Sequence, residues 1–177
     1  GLEVWCSIPY IFIPIKMIQE FGMNISNVGL FLFFLVVPTI ITEFFLKKRG
    51  AYNPRITIIY GYTIVGVLGF VAASTNNMYV LLGSIILASF GLGLLEPSVE
   101  ANFFKVVTQE ESERFYGTFM TSKVFGGLFS KFLLGGMLAF FPLKAGIAII
   151  SVIMLILAGI AIPRKKHKKH HAITAVK

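Results

Sequence analysis

The chain has 177 residues, of which 56% are hydrophobic and 14% charged, with a formal net charge of +8 and a mean hydropathy of +0.82. A soluble domain of this size does not hide so much apolar surface in one core, since about 45–50% apolar is usual. The basic residues are scattered between apolar runs, which excludes the basic stripe of a nucleic-acid surface, and the single cysteine, Cys6, excludes an intramolecular disulfide.

A bilayer span needs about 20 mostly apolar residues. Six such spans are expected, at 3–21, 27–46, 56–74, 78–103, 113–141 and 145–163. The first is bent by Pro9 and Pro14, and the second contains Pro38. The fourth holds Glu96 and Pro97, the fifth is the longest, and the sixth ends at Pro163. The runs are too long for strands and do not alternate, so helices are expected, whose backbone groups are satisfied internally. The fold class is therefore an all-α integral membrane bundle of six transmembrane helices. Residues 1–163 make the bundle and 164–177 a basic tail. The chain starts at Gly1 without a basic leader or cleavage site, and it reads as a piece of a longer protein.

The connections sort by charge. Twelve of the sixteen basic residues lie in the second-to-third loop, the fourth-to-fifth loop and the tail. They include Lys47, Lys48, Arg49 and Arg55, then Lys105 and Arg114, then the run from Arg164. The opposite loops hold only Lys144. The positive-inside rule then puts both termini in the cytoplasm, where anionic lipids are the expected partners. A multi-pass protein of the plasma (inner) membrane is expected. "NIS" at Asn24 matches a glycosylation acceptor but falls in a very short outer loop, so it is read as coincidence.

Between Gly91 and Leu138 the chain reads "GLGLLEPSVEANFFKVVTQEESERFYGTFMTSKVFGGLFSKFLLGGML". A Gly-rich helix with a proline near its end, an acidic loop closing on "ER", and a long helix with Gly pairs follow one another. This resembles the fourth-to-fifth helix hairpin of one half of a Major Facilitator Superfamily transporter, and by layout the resemblance covers all six helices. In the second-to-third loop, Lys48, Arg49 and Gly50 match that family's basic motif, and Arg114 ends the acidic fourth-to-fifth loop. Lys47 stands where the family carries an aspartate, and Glu43 lies one turn earlier. Ser130 and Lys131 stand where the antiporter pattern has Gly-Pro. The resemblance implies a bundle of two three-helix repeats, one half of a secondary transporter working by alternating access, and the carboxyl half in view of the basic tail. Its implied partners are the missing six-helix half or a second copy, and a small solute whose identity is not readable. No cofactor, metal or nucleic acid is implied.

Ionised groups at lipid depth are costly and mark wet paths or partners. Glu96 and Lys123 fall at matching depths on consecutive antiparallel spans, and an ion pair between them is expected. Lys123, Gly127 and Lys131 share one helix face, and Lys131 lies too deep to reach the near surface. Lys16 and Glu20, at i and i+4, are either a snorkelling surface pair or an outer gate. First-type helices line the cavity in the resembled family, which adds Tyr10 and Gln19 as pathway candidates. Pro97, which lacks an N–H, joins Gly91, Gly93, Gly126 and Gly127 as hinge or gating candidates. Ser122, Gly126 and Ser130 form a small-residue stripe suited to helix packing.

Rival readings are weaker. An intramembrane protease needs a Ser–His pair, yet His167, His170 and His171 all lie in the tail, and the chain has no Asp and no zinc-protease motif. No enzyme activity is expected. A structural or assembly subunit, or a lipid-handling bundle, is the remaining alternative.

Overall fold

The structure, a computed structural model, describes residues 5–6, 8–49, 52–106 and 109–162. Every regular element among them is helical. A π-helical turn, Ile8–Phe12, runs into α1, Ile13–Gln19. Then come α2, Ile25–Arg49; α3, Pro54–Ser74; α4, Met78–Val106; α5, Gln109–Phe140; and α6, Leu143–Ala161. Gly50 and the tail from Pro163 lie outside the described residues, as do the side chains of Arg49, Glu110, Glu111 and Glu113.

Local chemistry sets the boundaries. Pro9 falls in the wide π turn and Pro14 in the first turn of α1, two places where a missing N–H is tolerated. Gly22 adopts φ 61, which an L side chain resists. The reversal lets the Met23 N–H return to the Met17 carbonyl at 3.0 Å. Asn53 caps α3, its Oδ1 accepting the Arg55 N–H at 3.2 Å, with Pro54 next to it in the first turn. Asn77 caps α4 in the same way, through the Tyr79 N–H at 2.9 Å.

Among the described residues, four helical segments are long and apolar enough to cross a bilayer: Ile25–Lys48, Pro54–Ser74, Met78–Lys105 and Leu143–Ala161. The described residues of the other two expected spans are helical as well. The first apolar run, as described, is the shorter stretch Ile8–Gln19. α5 has 32 residues, ample length to cross a bilayer, and carries Lys123 and Lys131 within its apolar run.

α3 is the hub. It packs closely on α4 and on α6, and α4 packs in turn on α2. Lipid offers no hydrophobic drive for helix association, so close backbone approach supplies the attraction. Small residues permit it. A Cβ on Gly61 would stand 2.9 Å from the Gly91 carbonyl oxygen, and one on Gly91 would stand 3.0 Å from that of Gly61. A Cβ on Gly93 would stand 2.9 Å from the Thr39 carbonyl oxygen on α2. Around these crossings Trp5, Phe12, Leu35, Ile85, Leu95, Ile147 and Met154 form the buried core.

α5 behaves differently. Few of its described backbone positions come near α4, and its close neighbour is α6. Cβ atoms added at Gly117, Gly126, Gly135 or Gly136 would meet nothing. Ser130 and Leu134 are buried, while Phe132, on the far side, is 87% exposed.

Candidate functional site

Long side chains bridge the gap between α4 and α5. Phe103 stacks on Phe119 with ring centroids 4.5 Å apart, and Phe104 on Tyr116 at 6.1 Å. The next layer is ionic. Lys123 Nζ donates to Glu96 Oε1 at 2.5 Å and to Glu100 Oε1 at 3.4 Å. Glu96 and Glu100 are i and i+4 on α4, so both reach the same point on the neighbouring helix. The side chains are 29%, 43% and 37% exposed for Lys123, Glu96 and Glu100. The cluster therefore holds two carboxylates and one ammonium, and it is not sealed within this bundle. Tyr10, exposed beside α1, lies within electrostatic reach of Glu96.

Glu100 is the member that the sequence reading missed. The signal was available: it lies one helical turn beyond Glu96 and at the depth of Lys123.

Two turns beyond Lys123 on the same side of α5, about 12 Å along the axis, Lys131 is exposed and has no ion pair among the described residues. On another side of α5 runs a shallow groove of about 860 Å³, lined by Gly117, Ser122, Phe125, Gly126 and Phe129 among others. Of the small-residue stripe, Ser130 is buried and donates to the Gly127 carbonyl at 2.8 Å, whereas Ser122 is exposed.

Lys16 departs from the snorkelling reading. Its side chain is 0% exposed, and its Nζ stands 3.7 Å from Glu20 Oε2 with no hydrogen-bond partner among the described residues. α1 turns this residue into the bundle instead of toward the rim. Glu20 and Gln19 are exposed. Lys144, bonded to Asn76, is close enough for its charge to bear on Lys16.

The hinge candidates divide. Gly91 and Gly93 occupy the close crossings described above, while Gly126 opens on empty space. Pro97 lies inside α4, and its carbonyl accepts a bond from Tyr52 Oη at 3.4 Å, which ties the α2–α3 connection to that point. In the basic loop motif, Lys47, Lys48 and Arg114 are exposed and Glu43 is half-buried.

Long apolar helices, close small-residue crossings and a charged cluster between two of the helices define a multi-pass integral membrane protein. The chain matches the model of the Major Facilitator Superfamily over residues 6–177, and it belongs to that family. The family's members are generally membrane transporters. No match was found among curated proteins or among solved structures.

Proposed function

We propose that this chain is one six-helix half of a secondary transporter, moving a small solute by alternating access. In this reading it is built from two three-helix repeats, has both termini in the cytoplasm and resides in the plasma (inner) membrane. The carrying observation is the Lys123–Glu96–Glu100 cluster. Three ionisable groups lie between two membrane helices, each at least a quarter exposed in the isolated bundle. Lipid is a poor environment for them, so that side of the bundle faces water or polar groups of a partner. Lys131 on the same side of α5 strengthens the argument, because it too needs a polar surrounding. The open Gly and Ser positions of α5 suit close approach by a helix of the missing half or of a second copy.

In this mechanism Lys123 holds the two carboxylates together in one state of the pathway. Rocking of the two bundles exposes the cluster and Lys131 to one side of the membrane and then the other. Glu96 and Glu100, with one cation between them, are the groups suited to a coupling proton or cation, and Lys131 to an anionic group of the solute. Lys16 and Glu20 act at the opposite gate, with Tyr10 and Gln19 along the pathway. A passive bundle, whether structural or lipid-handling, has no comparable use for ions on that side.

Accessibility labelling tests this. In a Cys6→Ser background, Gly127→Cys and Met120→Cys lie on the Lys123 side of α5, and Phe132→Cys on the far side. A membrane-impermeant thiol reagent should modify the first two in membranes and leave the third unreacted. Equal protection of all three would remove the wet route.

A further inference from the structure

At the end of the bundle where α3 starts and α4 and α6 finish, the three helices enclose a cleft of about 970 Å³. Its polar lining includes Arg55 and Asn102, and its apolar lining Ile58, Ile156, Gly159 and Ile160. We propose that this cleft seats one anionic phospholipid, its phosphate on Arg55 and Asn102 and the first part of an acyl chain along the isoleucines.

Arg55 is the second residue of α3 and is exposed. Among the described residues no carboxylate lies within ion-pair distance of it. Its planar donors suit bidentate capture of a phosphate, and Asn102 adds an amide donor. The positive end of the α3 dipole points the same way. Lys105, one turn beyond Asn102 on α4, adds positive charge near this end of the helix. Glu100, two residues before Asn102, is already engaged by Lys123.

Position decides between a lipid and a soluble phosphate. The cleft lies at the limit of three apolar spans, which end at Pro54, Lys105 and Ala161, and so at headgroup height. Ile156 and Ile160 are 56% and 73% exposed on its flank, on surface that a bilayer would cover. A Cβ on Gly159 would meet nothing within 4 Å, so the space beside it is open to a chain. The proposal depends on membrane insertion alone and is independent of transport.

The test is lipid retention by the full chain in nanodiscs of phosphatidylcholine with a graded fraction of phosphatidylglycerol, read by native mass spectrometry. Wild type should keep one phosphatidylglycerol in preference to phosphatidylcholine. Arg55→Gln should reduce that preference about fivefold, the weight of one cation near an anionic surface, and Arg55→Lys should restore it only in part, since an ammonium keeps the charge but loses the bidentate fork. Gly159→Leu should fill the cleft and lower retention of both lipids, with helix content unchanged by circular dichroism. Lys48→Gln should leave retention as in wild type. The proposal is overturned if wild type shows no preference, or if Arg55→Gln and Lys48→Gln weaken it equally, the mark of diffuse surface attraction. Displacement of the lipid by soluble glycerol phosphate would also overturn it, by making free phosphate the ligand.

Discussion

Gly91→Ala tests whether the bundle is held by backbone contact. The new Cβ would stand 2.8 Å from Val65 Cγ2, 3.0 Å from the Gly61 carbonyl oxygen and 3.1 Å from Ile64 Cγ2. Val65 is fully buried and cannot swing away, and the carbonyl belongs to α3 itself. α3 and α4 must therefore separate by a few tenths of an ångström along their crossing. Overpacking of this kind costs about 1–3 kcal/mol. Ala improves helix propensity over Gly by up to about 1 kcal/mol, so a net loss of about 1–2 kcal/mol is expected. Gly83→Ala, on the same helix, is the control, because its Cβ meets nothing. It should be neutral or stabilising by up to about 1 kcal/mol. Equilibrium unfolding of the chain in mixed micelles of increasing denaturing detergent measures both. If Gly91→Ala proves as stable as Gly83→Ala, the close crossing does not hold α3 and α4 together.

Two further outcomes follow from the charged groups. In a double-mutant cycle, Lys123→Met with Glu96→Gln should show coupling of about 0.5–1 kcal/mol, within the range for a partly exposed pair. The cycle with Glu100→Gln should give less, since the contact is 3.4 Å and not 2.5 Å; additivity in both would mean that the cluster does not exist in the membrane. Lys16→Met should change stability by less than about 1 kcal/mol, because losing the 3.7 Å ion pair with the exposed Glu20 opposes the relief of a buried ammonium that lacks a hydrogen bond. A larger loss in the same detergent titration would mean that Lys16 has a further partner, besides Glu20, in the native protein.

Much of the architecture was legible in the residues. Four of the expected spans appear as long apolar helices within a few residues of their expected limits, because a long apolar run has one solution in lipid. The depth match of Glu96 and Lys123 was also readable, since rise per residue is fixed in a helix and a short loop makes neighbours antiparallel. In the other two expected spans the apolar run is interrupted, each time with a physical cause. Prolines at 9 and 14 break the first run into a π turn and a short helix. The two lysines of α5 serve one side of the helix at the expense of its mean hydropathy.

What the sequence determined by itself is the position of the four long apolar helices, the loops that gather positive charge, and the family to which the chain belongs. These depend on local composition and spacing, which do not change when the chain folds. The tertiary structure alone decided that Lys16 turns inward and that Glu100 completes the ion cluster. It also showed that Gly91 and Gly93 mark crossings, and that Arg55, Asn102 and the end of α6 share one cleft. Each of these is set by how helices far apart in sequence rotate and approach, and in lipid that choice is made by shape, through which small residues allow contact.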